Sequence, residues 1–532
     1  MSAADRDPSE RADVCVVGAG PAGALTAYWL AERGHGVVVL DAGPRFEFAD
    51  RLGRMQRFQR PAFDWTDVWE MGGERDAYSS TGRLHYPLNT TRVKGVGGTT
   101  LHWLGLTPRL HEKDFEMESR YGLATDWPIS YRDLRPYYAE AETEMGVSGA
   151  EDNPFAPPRE EPFPMERFPP SYSDSLFGEA CEELDIEMHS VPHARNSEPY
   201  DDRPGCQGYG TCAPVCPSGA KYDATVHVRK AEAAGARVID RVPVQRLEHG
   251  PDGERVEAAV YATPDGTEHR QEARQFVIAC GGIETPRLLL LSNSEAYPDG
   301  LANSSGTVGR YLMEHSFAGT DGLLMRDTNQ HEIGFTTSEC HQFYDHEEET
   351  PGSIKLEFFN DAGPSPVEVA LGKGPWGDSL QSALEWELGN TLTVGALVEQ
   401  LPDPTNRVTL DSSETDDHGN PAPEISWEVG DHAIAAMERA HDLQRKILDR
   451  MGARITDQSD VHHPGPARHP MGTTRMGEDP AESVVDSRLR THDLTNLTVA
   501  SSSVFPTGGA MNPTLTIAAL SLKAADHIHD DL

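Results

Sequence analysis

The sequence predicts an α/β protein in which a Rossmann-like dinucleotide-binding domain is joined to a second, substrate-binding domain built on a mixed or antiparallel sheet. Three observations predict it. An apolar run, a glycine turn, a helix-compatible segment and a second apolar run ending in an acid occupy residues 13–43. Another apolar run enters a second glycine turn and a Leu-rich helix at 276–292. Between 311 and 460, short β-type runs alternate with acidic turns containing Pro and Gly.

In the first unit, Asp13-Val14-Cys15-Val16-Val17 reads as a strand and Gly18-Ala19-Gly20-Pro21-Ala22-Gly23 as the turn that opens an Ala- and Leu-rich helix ending near Gly34. The next strand ends at Asp41. Gly18, Gly20 and Gly23 let a pyrophosphate approach the helix N-terminus, and an acid at the end of the second strand meets the ribose hydroxyls. FAD and NAD share that half, so this unit alone does not choose between them. Residues 44–92 read as loop with short helices over the cofactor. Gly97, Gly98, Thr99, Thr100, His102 and Trp103 follow, a run that suits a backbone pressed against a flat polar ring system or, equally, a glycine turn with an incidental His.

The Pro-rich stretch 151–173 reads as a surface excursion. A helix is predicted within 221–235, strands at 236–239, 242–247, 256–261 and 276–279, and a helix at 287–292. Strands are predicted again at 354–358, 367–371, 392–398, 407–410 and 425–429. Ile434, Met437, Leu443, Ile447, Leu448 and Met451 then keep helical spacing until Gly452. Asn512-Pro513-Thr514 opens a last helix reaching about residue 528. The organisation expected is a cofactor domain over 10–310 with an excursion at 151–220, a substrate domain over 311–460, and a C-terminal segment, 461–532, returning to the cofactor domain.

The chain carries 86 acidic against 46 basic residues, a net charge of −40, and only eight of the basic residues are lysines. The acids are spread along the chain, as on a surface hydrated at high salt, where screening removes self-repulsion, so the reading is a halophilic protein. Nucleic acid is excluded as a partner by repulsion of its phosphates. Residues 1–12 hold no apolar signal-like region and no run reaches about 18 apolar residues, so the expectation is no membrane span and a cytoplasmic protein by default, or one membrane-associated or exported through a partner. Seven cysteines are too few and too uneven for a disulfide framework. Three of them cluster as Cys206-x5-Cys212-x3-Cys216-Pro217, a short Gly- and Pro-rich run able to wrap thiolates around a 3Fe-4S centre; zinc, which wants a fourth ligand, and free thiols are the alternatives.

With these motifs in order, the chain resembles the glucose-methanol-choline (GMC) oxidoreductases over most of its length. Gly18–Gly23 with Asp41 resembles the family's FAD motif, 97–103 its flavin-facing loop, 280–292 its G-x-x-T-P helix, 406–410 a strand of its substrate domain, and 469–473 and 512–516 its two C-terminal catalytic stretches. The resemblance implies FAD as cofactor, with Pro513 and Thr514 at the flavin. Ser501 stands where many members carry an Asp beside the pyrophosphate and ribityl chain. It also implies His469 as the base that takes the hydroxyl proton and Asn512 as the amide that orients the alcohol; His462 and His463 are nearby competitors for the base role. The mid-sequence cysteine cluster is similar to that of bacterial sugar and sugar-acid dehydrogenase flavoprotein subunits. That likeness implies a sugar, polyol, sugar acid or related alcohol as substrate and an external electron acceptor, such as a small subunit and a cytochrome. His102 is expected at the flavin's dimethylbenzene edge, bonded to it covalently or packed against a dissociable flavin. An oxygen-using alcohol oxidase and a catalytically silent electron-transfer subunit are the rival functions.

Overall fold

The computed structural model describes residues 6–58, 65–329, 334–346, 352–360, 366–372, 374 and 376–532. Strand β1 (Ala12–Val17) lies in the middle of the first sheet, parallel to β2 (Val37–Leu40) on one side and to Glu268–Ile278 on the other. Helix α1 (Pro21–Glu32) makes the crossover, starting at a proline whose missing N–H costs nothing at the first helical position. Arg237–Ile239 extends the sheet beyond β2, and Leu497–Val499 pairs in parallel with the last residues of Glu268–Ile278. Val14, Val16, Val37 and Val39 pack on helices on one face of these central strands and Cys15, Val17, Val38 and Leu40 are buried on the other, so β1 and β2 read as continuous apolar runs without alternation.

Glu268–Ile278 belongs to two pairings. Its carboxyl-terminal half joins the parallel sheet, while residues 268–272 pair antiparallel with Val256–Ala262, which in turn pairs with Val244–His249. Only the apolar end was legible as strand. The preceding residues alternate exposed Arg and Glu on a solvated face with half-buried or buried positions such as Gln271 and Ala273.

The second sheet is six-stranded and antiparallel throughout, in the order Arg454–Gln458, Ser316–Leu323, Thr391–Val398, Ile354–Phe359, Thr336–Cys340, His189–Ser190. One face packs on helix Asp431–Arg450 through Ala318, Leu356, Phe358, Ala396 and Val398, which meet Met437, Ala440, Ile447 and Leu448. Each fully buried aliphatic side chain there contributes about 1.5–3 kcal/mol. The alternate residues, Phe317, Glu357, Phe359 and Leu397, face a cavity between the two sheets.

Several elements differ from expectation. Residues 367–371 lie in a helix, Pro366–Gly372, and not a strand: Val-Glu-Val-Ala-Leu fits a two-residue period, but Pro366 at the start and the Glu, Ala and Leu that follow favour the helix. The strand placed at 425–429 is Pro421–Ser426, and Arg407–Thr415 runs beyond the expected 410. Ser316–Leu323 went unread because two glycines and an Asp interrupt its pattern. No helix among the described residues is long and apolar enough to cross a membrane.

Candidate active site

A single cavity of about 620 Å³ runs from the first glycine turn to the C-terminal motifs. At one end, Gly23 lies so close to the Gly18 carbonyl that an added Cβ would sit 1.9 Å from that oxygen. A Cβ on Gly20, by contrast, would stand 4.0 Å from the nearest atom outside its neighbours, within the cavity lining. The turn therefore bares its backbone to the cavity at the start of α1, as a pyrophosphate site requires. Asp41 is buried beside it, and its carboxylate accepts the Ala19 amide at 2.8 Å and the Gly43 amide at 2.9 Å. Burial pushes this carboxyl up and the two amides pull it back. Asp41 thus ties the turn together, with its remaining lone pairs at the cavity wall.

The second glycine loop rests on the first. The Gly97 amide donates to the Ala19 carbonyl at 3.0 Å, and a Cβ on Gly98 would meet Gly20 Cα at 2.9 Å. Thr100 is a strut: its hydroxyl donates to the Gly97 carbonyl and accepts the Ala224 amide at 2.9 Å. Thr99 and His102 line the cavity, and burial drives the His102 imidazole down to about 3, so it is neutral. Ser501 lines it too, its hydroxyl accepting the Ser503 amide and bonding the Ser503 hydroxyl at 2.6 Å. Pro513 and Thr514 open helix Thr514–Asp531, whose first amides have no partner within the helix and give that end of the cavity a positive pole.

His469 and Asn512 line the same cavity. His462 and His463 do not; both are exposed, and His463 bonds Asp460 at 2.9 Å. The His469 ring is held by His315, with the two Nδ1 atoms 2.9 Å apart, and His315 Nε2 lies 3.3 Å from the Gly508 carbonyl oxygen. A carbonyl only accepts, so His315 Nε2 carries the proton. Burial lowers His315 to about 4, so the ring is neutral and its Nδ1 is an acceptor. His469 Nδ1 must then donate, which leaves the lone pair on His469 Nε2. Burial first, and the neighbouring His315 second, lower the His469 pKa well below the usual value, so this imidazole is neutral near neutral pH. Its backbone amide donates to Glu314 at 2.8 Å; burial raises Glu314 to about 7, and Tyr86 donates to its other oxygen.

Asn512 is oriented by a buried lysine. Lys355 donates to Asn512 Oδ1 at 2.7 Å and to Glu357 at 2.6 Å, with Glu339 at 3.3 Å. Burial opposes its charge, but Glu357 and Glu339 hold its pKa above the ordinary value. With the amide oxygen occupied, the Asn512 NH2 is the end left to donate.

Models of the GMC oxidoreductase family match residues 79–317 and 402–521, and a model of FAD-dependent oxidoreductases matches residues 13–53. The chain belongs to the GMC oxidoreductase family. It is 35% identical to the fructose dehydrogenase large subunit of Gluconobacter japonicus over 98% of both chains. It is 32% identical to 2-methyl-1,2-propanediol dehydrogenase of Mycolicibacterium austroafricanum over 98% of this chain and 95% of that one. A variant of Aspergillus oryzae formate oxidase shares its fold with a TM-score of 0.70 at 17% identity, covering 98% of this chain and 99% of the other. This GMC protein is an FAD-binding oxidoreductase acting on CH–OH donors, and the glycine cradle and cavity described above fit that cofactor.

Glu314, His315, Lys355 and Glu357 escaped the sequence reading. A signal existed for two of them: in Ile-Lys-Leu-Glu-Phe-Phe, Lys355 and Glu357 alternate with apolar residues on a strand that is otherwise core, which marks one face as polar and enclosed. Nothing local singles out Glu314 or His315. Cys206, Cys212 and Cys216 lie on one loop and form no disulfide. The Gly208 amide points at Cys206 Sγ and the Lys221 amide at Cys216 Sγ, both at 3.5 Å, and Arg195 approaches Cys212 Sγ at 3.8 Å. Lys221 ties this loop to the cavity wall, donating to the Cys212 carbonyl at 2.6 Å and to the carbonyl of Trp103, the neighbour of His102.

Proposed function

We propose that this protein is a dehydrogenase that oxidises a CH–OH group of a sugar, polyol, sugar acid or related alcohol and passes the electrons through an iron-sulfur centre to an external acceptor. The observation that carries the reading is the His315–His469 pair, which leaves His469 Nε2 as a neutral base in the same cavity as the oriented Asn512 amide. The substrate hydroxyl gives its proton to His469 Nε2, while the Asn512 NH2 holds the oxygen and stabilises the charge developing on it. The positive charge gained by His469 is shared with His315 through the Nδ1–H···Nδ1 bond. Bound FAD supplies the hydride acceptor. Glu357 and Arg468 line the cavity with charged groups suited to a hydroxyl-rich substrate, in keeping with a relative named for fructose.

His102, from the Gly97–Trp103 loop, is assigned to the flavin's dimethylbenzene edge. Acid precipitation separates the two forms of that contact: colour in the pellet means a covalent bond, colour wholly in the supernatant a dissociable flavin.

Cys206, Cys212 and Cys216 are the ligands for a 3Fe-4S centre. Amide and guanidinium donors point at the three sulfurs, as they do around cluster ligands. The sulfurs do not all lie within 4.8 Å of one another, wider than a single tetrahedral zinc with bonds of about 2.3 Å would gather them, whereas a cluster interposes its own sulfides. The relative named a large subunit supports an acceptor subunit as partner. The test is anaerobic flavin reduction across sugars, polyols and primary alcohols in molar salt, alongside iron analysis and low-temperature electron paramagnetic resonance. His469→Ala should keep flavin yet slow reduction by about a hundredfold or more. Wild-type reduction rates in that variant defeat the catalytic assignment, and iron-free protein with no resonance signal defeats the cluster.

A further inference from the structure

At one end of the strands of the substrate-side sheet, three chain segments bring metal-ligating groups together. His346 follows the turn after Thr336–Cys340, Glu399 follows Thr391–Val398, and His432 sits in the first turn of Asp431–Arg450. Glu399 Oε2 is 2.8 Å from His346 Nε2 and 3.1 Å from His432 Nε2, and the three ligand atoms all lie within 4.8 Å of one another. Glu399 is 1% exposed, yet its Oε1 has no hydrogen-bond partner among the described residues. Ser353, also buried, holds its hydroxyl 3.4 Å from His346 Nε2. The Tyr121 ring stacks on His346 at 4.6 Å and fixes its plane.

A hydrogen-bonded cluster alone would crowd both imidazoles onto one carboxylate oxygen and leave the other bare in a buried site, an expensive arrangement. A cation bound between the three residues engages that bare oxygen. Among the described residues, Lys113 beside Glu399 is shared between Ser353 at 2.5 Å and Asp114 at 3.3 Å, so Glu399 and Asp114 outnumber it and the locality keeps a negative charge.

We propose that His346, Glu399 and His432 hold a divalent transition-metal ion, for which two imidazoles and a carboxylate favour Zn2+, with the Ser353 hydroxyl or water in the fourth position. On binding, the ion takes the place of the two Nε2 protons, which move to the Nδ1 atoms. The long 3.5 Å contact from the Gly352 amide to His346 Nδ1 opens as that nitrogen takes up its proton. The site is a clasp on the substrate side of the catalytic cavity. Gln400, the next residue, accepts the Glu314 amide at 3.0 Å, and Tyr344 in the His346 segment accepts the Ala510 amide at 3.2 Å, two residues before Asn512.

The test uses the holoenzyme stripped with a chelator and titrated with Co2+. Visible ligand-field bands should saturate at about one equivalent per chain without the sulfur charge-transfer absorption that the Cys206 loop would give. Glu399→Gln and His432→Ala should lose the bands, while Cys212→Ser keeps them. Added Zn2+ should raise the Tm of stripped wild-type protein by about 3 °C and leave Glu399→Gln unmoved. Absent bands in the wild type, bands carrying sulfur charge transfer, or bands unchanged in both variants overturn the proposal. Should the variants fail to fold, the wild-type titration decides by the first two outcomes.

Discussion

Replacing His315 by Phe tests whether the tautomer of the proposed catalytic imidazole, His469, is imposed by its neighbour. The variant keeps an aromatic ring at a fully buried position but removes the Nδ1 acceptor 2.9 Å from His469 and the donor to Gly508. His469 Nδ1–H then loses its partner. The lost bond matters most after proton transfer, when it joins a charged imidazolium to a neutral acceptor. Hydrogen bonds to charged groups contribute about 1.5–3 kcal/mol, which at about 1.4 kcal/mol per decade is a slowing of roughly 10- to 150-fold. The lower part of that range falls short of the hundredfold or more expected from removing His469 itself. The assay is anaerobic stopped-flow reduction of the bound flavin at saturating substrate, with flavin content measured beforehand. His315→Gln, whose amide offers an oxygen to His469 and an NH2 to Gly508, should recover part of the rate. A merely structural role would lower the stability of both variants without separating their reduction rates. Wild-type reduction by the Phe variant, with His469→Ala impaired, refutes the tautomer argument.

Asn512→Ala should slow flavin reduction by about 10- to 100-fold, less than His469→Ala, with the loss appearing in the reduction step at saturating substrate. Lys355→Met should destabilise the protein by about 3–5 kcal/mol, because Glu339 and Glu357 remain buried without their cation; denaturation midpoints read this, and an unchanged midpoint would mean water replaces the ammonium. Glu314 has a folded pKa of about 7 against an ordinary 4.5, so its favourable contribution is present below about 4.5 and lost as the pH rises through 7. Glu314→Gln should therefore gain on wild type by about 1 kcal/mol between pH 6 and pH 8, in Tm measured at both. The charge of −40 with few lysines leads us to infer a requirement for salt: lowering KCl from about 2 M to about 0.1 M lengthens screening from a few ångströms to about 10 Å, and flavin release or a falling Tm would show it.

The parts of the site that were legible in the sequence are those made within one short stretch of chain. Strand, glycine turn, helix and Asp41 occupy some thirty consecutive residues, and each step has a local cause: an apolar run, a close backbone approach, a proline at the first helical position. His469 and Asn512, proposed as the catalytic pair through motifs of the same kind, both line the cavity. What surrounds them was not legible, because it is assembled by sheet closure. The lysine that orients Asn512 is 157 residues away in sequence, and the imidazole that sets the His469 tautomer is 154 residues away. Periodicity reports which face of a strand is buried, not what the opposite element will place against it.

That limit also shows where the catalytic geometry is stored. In Ile354–Phe359, Ile354, Leu356 and Phe358 face the helix-backed core, while Lys355 and Glu357 form the buried polar row that reaches Asn512 and the cavity. A slip of one residue against Thr391–Val398 would drive the lysine into the core and turn the aliphatic residues toward the substrate. The cost of burying an unpaired ammonium forbids that slip. The same alternation that packs the second sheet on helix Asp431–Arg450 therefore fixes the register in which the Asn512 amide is aimed, so the packing of that core and the orientation of the proposed catalytic amide rest on one pattern of residues.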